Sequence, residues 1–166
     1  MSAPQTDAML RAMIIHFICR GNIFRSLIAE TYLKSLQIPG ITTLSSGTIA
    51  DETRESNHEL GYTANTRELL ARHDLAGHAK PRAEQLTQER LTDDQLVICA
   101  NQIAYDEAVA IAQLPESTII WDVTDIGEGT RIANSVDQRK RYEEEVFVEI
   151  TALVDELVRT QRLGRI

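Results

Sequence analysis

The chain has 166 residues, 43% hydrophobic and 25% charged, the make-up of one globular domain with a sizeable core. A net charge of -8 argues against nucleic acid or an anionic membrane as partner, because those surfaces call for basic patches. Two cysteines, Cys19 and Cys99, both in or beside apolar runs, are too few for a disulfide scaffold and point to a reducing, cytoplasmic setting.

Residues 1 to 12 hold Ser, Pro, Gln and Asp without an apolar stretch, so they read as a flexible tail and not as a signal peptide or anchor, with the folded domain over 13 to 166. Met13 to Ile18 is a short apolar run of the kind buried parallel strands show, and Ile41 to Leu44, Leu96 to Ala100 and Thr118 to Trp121 repeat it. Between these runs lie helical patterns. Ala29, Leu33 and Leu36 share one face before Pro39-Gly40 stops the helix; Leu69 and Leu70 mark a second helix, with Asn65 and Glu68 spaced as a cap; Ala104, Ala108 and Ile111 mark a third. A long helix from about Val136 carries a stripe of Val146, Ile150, Leu153, Val154 and Leu157. Alternating strands and helices predict an α/β fold: one doubly wound, four-stranded parallel sheet with helices on both faces. Ligands then bind outside the carboxyl ends of the strands, and the polar loop from Thr48 to Tyr62 is expected to form one wall of the site. His16, His58 and His73 lack the spacing of metal ligands, and no metal or cofactor is expected.

Cys19-Arg20-Gly21-Asn22-Ile23-Phe24-Arg25-Ser26 joins the first strand to an amphipathic stretch beginning near Leu27. A helix start offers unpaired N–H groups and positive dipole, which suits an oxyanion. The same field favours thiolate over thiol. Arg25, six positions after Cys19, closes a Cys-x5-Arg loop with a forked, permanent cation that fits two oxygens of a tetrahedral anion. Gly21 lets the backbone turn inward, Asn22 tolerates left-handed dihedrals, and the Ser26 hydroxyl is placed to steady the sulfur. A lone cysteine after a strand is more often an inert core residue. A core cysteine, however, has no use for these neighbours.

This loop, with Ala29-Glu30 after it, resembles the Cys-x-Gly-Asn-x-Cys-Arg-Ser-Pro-x-Ala-Glu signature of low-molecular-weight protein tyrosine phosphatases, a family related to thiol-dependent arsenate reductases. Ser45-Ser46-Gly47-Thr48 resembles the family's Ser-Ala-Gly-Thr strand end, His78 falls where its helix-start histidine lies, and Trp121-Asp122-Val123-Thr124-Asp125 resembles its acid-loop strand. Three residues depart from the pattern. Phe24 stands in place of a second loop cysteine, so no disulfide with Cys19 can form there; Leu27 stands where proline is usual; and Ile126 follows Asp125 where the family has Asp-Pro.

The resemblance implies a cysteine-dependent phosphatase, in which Cys19 attacks phosphorus, Arg25 and the backbone N–H groups of residues 20 to 26 hold the transferring oxygens, and Asp125, or else Asp122, protonates the leaving group. It also implies a supporting net of Asn22, Ser26, Ser45 and His78. The expected substrate is a phosphorylated protein or a small phosphomonoester. No aromatic residue lies in Thr48-Ile49-Ala50, so Phe24 and Trp121 are the candidate walls of a phosphotyrosine pocket. Arsenate reduction with external thiols is the nearest rival, and a non-catalytic phosphate-binding domain of the same fold is another.

Overall fold

The computed structural model describes residues 12–52 and 64–163. The expected tail, apart from Ala12, lies outside them, as do His58 and the expected wall loop beyond Glu52.

Four strands form one parallel sheet in the order β2-β1-β3-β4: β1 Met13–Cys19, β2 Ile41–Gly47, β3 Leu96–Cys99 and β4 Ile119–Ile120. Side chains alternate between its faces as the period of two requires. Ile15, Phe17 and Ile98 enter one core with helices α1 (Arg25–Ser35), α2 (Ala64–Arg72) and α4 (Val136–Thr160). Ile18, Val97 and Cys99 enter a second core with Ala104 and Ala108 of α3 (Gln102–Ile111). The sheet is therefore covered on both faces, as the near-continuous apolar strands predict.

The chain leaves β1 for β2 on one side and returns to β3 on the other, so the switch in strand order lies at the carboxyl end of β1, where Cys19 stands. Several boundaries differ from the sequence reading, the first and third strands by one residue each. The second strand runs on to Gly47, because Ser45 and Ser46, though polar, are buried and hydrogen-bonded. The fourth shrinks to two residues at the sheet edge. Helix α1 starts at Arg25 with no side-chain cap. Asn65, read as a cap, is already inside α2, whereas Asn101 and Ser135 cap α3 and α4 by accepting from Ala104 N at 3.0 Å and Gln138 N at 3.1 Å. Leu36, just past the end of α1, and Ile111, the last residue of α3, lie toward solvent, so those two predicted core positions are exposed. Among the described residues, no helix is long and apolar enough to cross a membrane.

Candidate active site

Cys19 ends β1 with 3% of its surface exposed. Its Sγ accepts from Asn22 N at 3.2 Å and lies 2.9 Å from Ser26 Oγ. Ser26 Oγ accepts from Asn22 Nδ2 at 2.7 Å, which leaves its own proton free to point at the sulfur. Asn22 takes φ 55°, the left-handed conformation anticipated for it, and is fully buried. Its side chain also donates to Ser45 Oγ at 2.8 Å and accepts from Glu84 N at 2.9 Å, so one amide fixes the loop to β2 and to the segment before β3. The backbone is tied as well: Thr48 N donates to Cys19 O and Ile49 N to Arg20 O. Gly47 makes this approach possible, since a Cβ there would sit 2.5 Å from Arg20 O and 2.8 Å from Asn22 N.

Beneath the loop lies a charged layer whose composition did not reveal its purpose. Ser45 Oγ donates to Glu30 Oε2 at 2.6 Å, and Lys80 Nζ donates to Ser45 O at 2.8 Å while lying 3.8 Å from Glu30 and 3.4 Å from Glu84. Arg90 binds the Glu84 carboxylate, Ser46 Oγ at 2.8 Å and Ser45 O at 3.0 Å. Burial pushes the Lys80 ammonium below its ordinary value, with Glu30 and Glu84 opposing. Burial alone would raise the Glu84 carboxyl, but Lys80 and Arg90 outweigh it and hold it low. His78, expected in the net, sits on the short turn Ala76–His78, and among the described residues its side chain makes no hydrogen bond to the loop. Lys80, two positions on, reaches the strand end instead. The turn points the longer, charged side chain inward.

Arg25 opens α1 and is 1% exposed. Its Nη1 donates to Val123 O at 2.9 Å, which fixes the plane of the guanidinium. Nε and Nη2 are buried with no hydrogen-bond partner among the described residues, although Nη2 lies 3.3 Å from Asp125 Oδ2 as an unaligned ion pair. Two adjacent unbonded donors on one edge of a rigid fork match two oxygens of a tetrahedral anion. The Arg20 side chain turns away from the loop to meet Glu107 on α3 at 2.9 Å, leaving its backbone as its contribution.

Of the two candidate acids, Asp125 is half-buried beside Arg25 and Asp122 is exposed. Asp125 Oδ1 accepts from Ile126 N at 2.8 Å, a bond that proline at this position would forbid. Ile23, Phe24, Thr66, Asp125, Ile126 and Glu143 line a pocket of about 130 Å³. Thr66 braces it by donating to Ile23 O at 2.8 Å. Trp121 is not in this wall: its ring stacks at a tilt on Phe17, 5.6 Å between centroids, in the core. Cys99 lies directly opposite Ile18 and points with it into the second core; burial first, and then Cys19, push its thiol up to about 12.

A model of the family described as low molecular weight phosphotyrosine protein phosphatase matches residues 14–161. No curated protein matches the chain. Among solved structures it is similar to Vibrio vulnificus Wzb in complex with benzylphosphonate, at 19% identity over 88% of this chain and 99% of that one, TM-score 0.63. It is likewise similar to the YwlE arginine phosphatase from Geobacillus stearothermophilus, at 21% identity over 90% and 95%, TM-score 0.59. A third is the thioredoxin-dependent arsenate reductase of Corynebacterium glutamicum, at 18% identity over 93% and 64%, TM-score 0.60. At these identities the likenesses establish the shared fold.

Proposed function

The chain belongs to the low-molecular-weight phosphotyrosine protein phosphatase family, and from that premise we propose that it hydrolyses phosphate monoesters, phosphotyrosine in proteins among them, through a cysteinyl-phosphate. The observation that carries this reading is the pair of buried, unbonded donors on Arg25 beside a sulfur held by Asn22 N and Ser26. In this scheme the Cys19 sulfur attacks phosphorus, the bond to the leaving oxygen breaks, and Asp125 gives that oxygen its proton. Arg25 Nε and Nη2 and the loop amides hold the equatorial oxygens as charge builds on them. Water then attacks the phosphocysteine, Asp125 takes the water's proton, the sulfur–phosphorus bond breaks, and the thiolate returns as inorganic phosphate departs. Ile23 and Phe24 supply apolar walls for an aromatic leaving group.

Arsenate reduction would need a further thiol to carry the oxidising equivalents, and Cys99 faces the opposite core with a thiol raised to about 12. A purely binding role is disfavoured by Asp125, which stands beside the cradle where a proton donor is needed. Turnover of an aryl phosphate is the test. Cys19→Ser should abolish it and Asp125→Ala should lower kcat by about 10²-fold or more. Full activity in either variant would remove that residue from the scheme, and thiol-dependent reduction of arsenate at a faster rate would replace it.

A further inference from the structure

Asp125 needs a fixed height above the cradle, yet the turn that follows it is intrinsically soft. Gly127 and Gly129 take φ 93° and 51°, and Ile126 fixes no backbone angle as proline would. The turn closes on itself through Glu128 N to Asp125 O at 3.3 Å, Arg131 N to Glu128 O at 2.9 Å, and Gly127 N to Arg131 O at 2.8 Å. None of these bonds ties it to the rest of the domain.

Two guanidinium groups do. Arg25 holds Val123 O from inside the active site. Arg131, with a side chain 13% exposed, donates from Nη1 to Thr124 O at 2.7 Å and from Nη2 to Glu149 Oε2 on α4 at 2.9 Å; Glu145 lies 3.8 Å from its Nε. The two successive carbonyls that precede Asp125, those of Val123 and Thr124, are thus each clasped by an arginine. One arginine belongs to the phosphate cradle and the other is anchored on the longest helix. We propose that Arg131 is a positioning residue for Asp125, which it serves by fastening the Thr124 carbonyl to α4 so that the carboxyl stays within reach of the leaving oxygen. Arg131 touches no reacting atom. It supplies the stiffness that the Ile126 position lacks.

Because this rests on reading Asp125 as the proton donor, the test must separate the two. Hydrolysis of phenyl phosphate, whose leaving group needs a proton, is compared with that of 2,4-dinitrophenyl phosphate, whose leaving group departs as a stable anion. Arg131→Met should lower kcat/KM, which covers only the steps up to departure of the leaving group and not the hydrolysis of the phosphocysteine shared by both esters, by about 10- to 10²-fold on phenyl phosphate, the scale of a misplaced catalytic group, while changing kcat/KM on the activated ester little. Glu149→Gln, which loosens the clasp and keeps the arginine, should show the same selectivity at smaller size. The double variant Asp125→Ala/Arg131→Met should be no slower on phenyl phosphate than Asp125→Ala alone, since a positioning residue has nothing left to position. Equal losses on both esters in both single variants, no loss in either, or multiplicative losses in the double variant would overturn the role of Arg131. An Asp125→Ala variant with no preference between the esters would instead overturn the acid assignment, and with it the premise.

Discussion

His16 offers a test of the buried layer that needs no substrate. It lies on β1 three residues before Cys19, fully buried, with Nε2 2.7 Å from Ser46 Oγ and Nδ1 3.0 Å from Gln95 Oε1. Ser46 Oγ already accepts from Arg90 Nε, so its proton points to Nε2; Gln95 Nε2 donates to Arg90 O, so its oxygen faces the ring and accepts from Nδ1. The imidazole is therefore neutral, with both nitrogens satisfied. Burial, helped by Arg90 and Lys80 and opposed by Gln95 and Glu84, lowers it from an ordinary 6.5 to about 4. Between those values the unfolded chain binds a proton that the native chain refuses, so stability falls as pH falls through this window and is fully restored above it. At about 1.4 kcal/mol for each decade, the change from 6.5 to about 4 amounts to roughly 3 kcal/mol. His16→Asn sacrifices bonds at every pH but removes this proton. Urea unfolding of both proteins from pH 7.5 to pH 4 should therefore show the advantage of the wild type shrinking by about 3 kcal/mol, with most of the change below pH 6.5. A gap that stays constant would refute the account of His16 as a neutral, fully bonded ring.

Gly47→Ala should keep the fold and lower kcat by about 10²-fold, as the added Cβ pushes on Arg20 O and Asn22 N; far-ultraviolet dichroism with steady-state kinetics checks both. His78→Ala should alter activity and thermal stability little. Lys80→Met, by contrast, takes the buried donor from Ser45 O and one cation from Glu30, which keeps Lys34 at 3.0 Å, and should cost about 2 kcal/mol in denaturant unfolding. Iodoacetate should place one label on the native chain, at Cys19 and blocked by inorganic phosphate, with Cys99 labelled only after denaturation; peptide mapping reads the sites.

What could be read from the residues was local. The loop from Cys19 to Ser26 is eight consecutive residues whose conformations and bonds are mostly made with one another, so the left-handed Asn22 and the Ser26 contact were legible in order along the chain. The four strands were visible as apolar runs. The last was overcounted because Thr118 and Trp121 carry strand propensity that the sheet edge does not use. The layer of Glu30, Lys80, Glu84 and Arg90 escaped, because charged side chains are buried only where partners from distant segments converge, and a single chain does not display that convergence. Glu30 carried a faint signal, an acid in a stretch of α1 that otherwise packs inward. Which of Asp122 and Asp125 stands beside Arg25 is decided in space, by the carboxyl that the chain beyond β4 turns toward the guanidinium.

The buried Nε and Nη2 donors of Arg25 have a thermodynamic sequel. A tetrahedral oxyanion that engages these donors in the folded chain and not in the unfolded one is a folding ligand as well as, under the proposed scheme, an inhibitor. Held at a hundred times its dissociation constant, such an ion would deepen the native well by about 2.7 kcal/mol through mass action alone. Under the proposed scheme, accumulating inorganic phosphate would thus slow turnover and protect the fold from unfolding by one and the same contact, tying the persistence of the chain to the concentration of that ion.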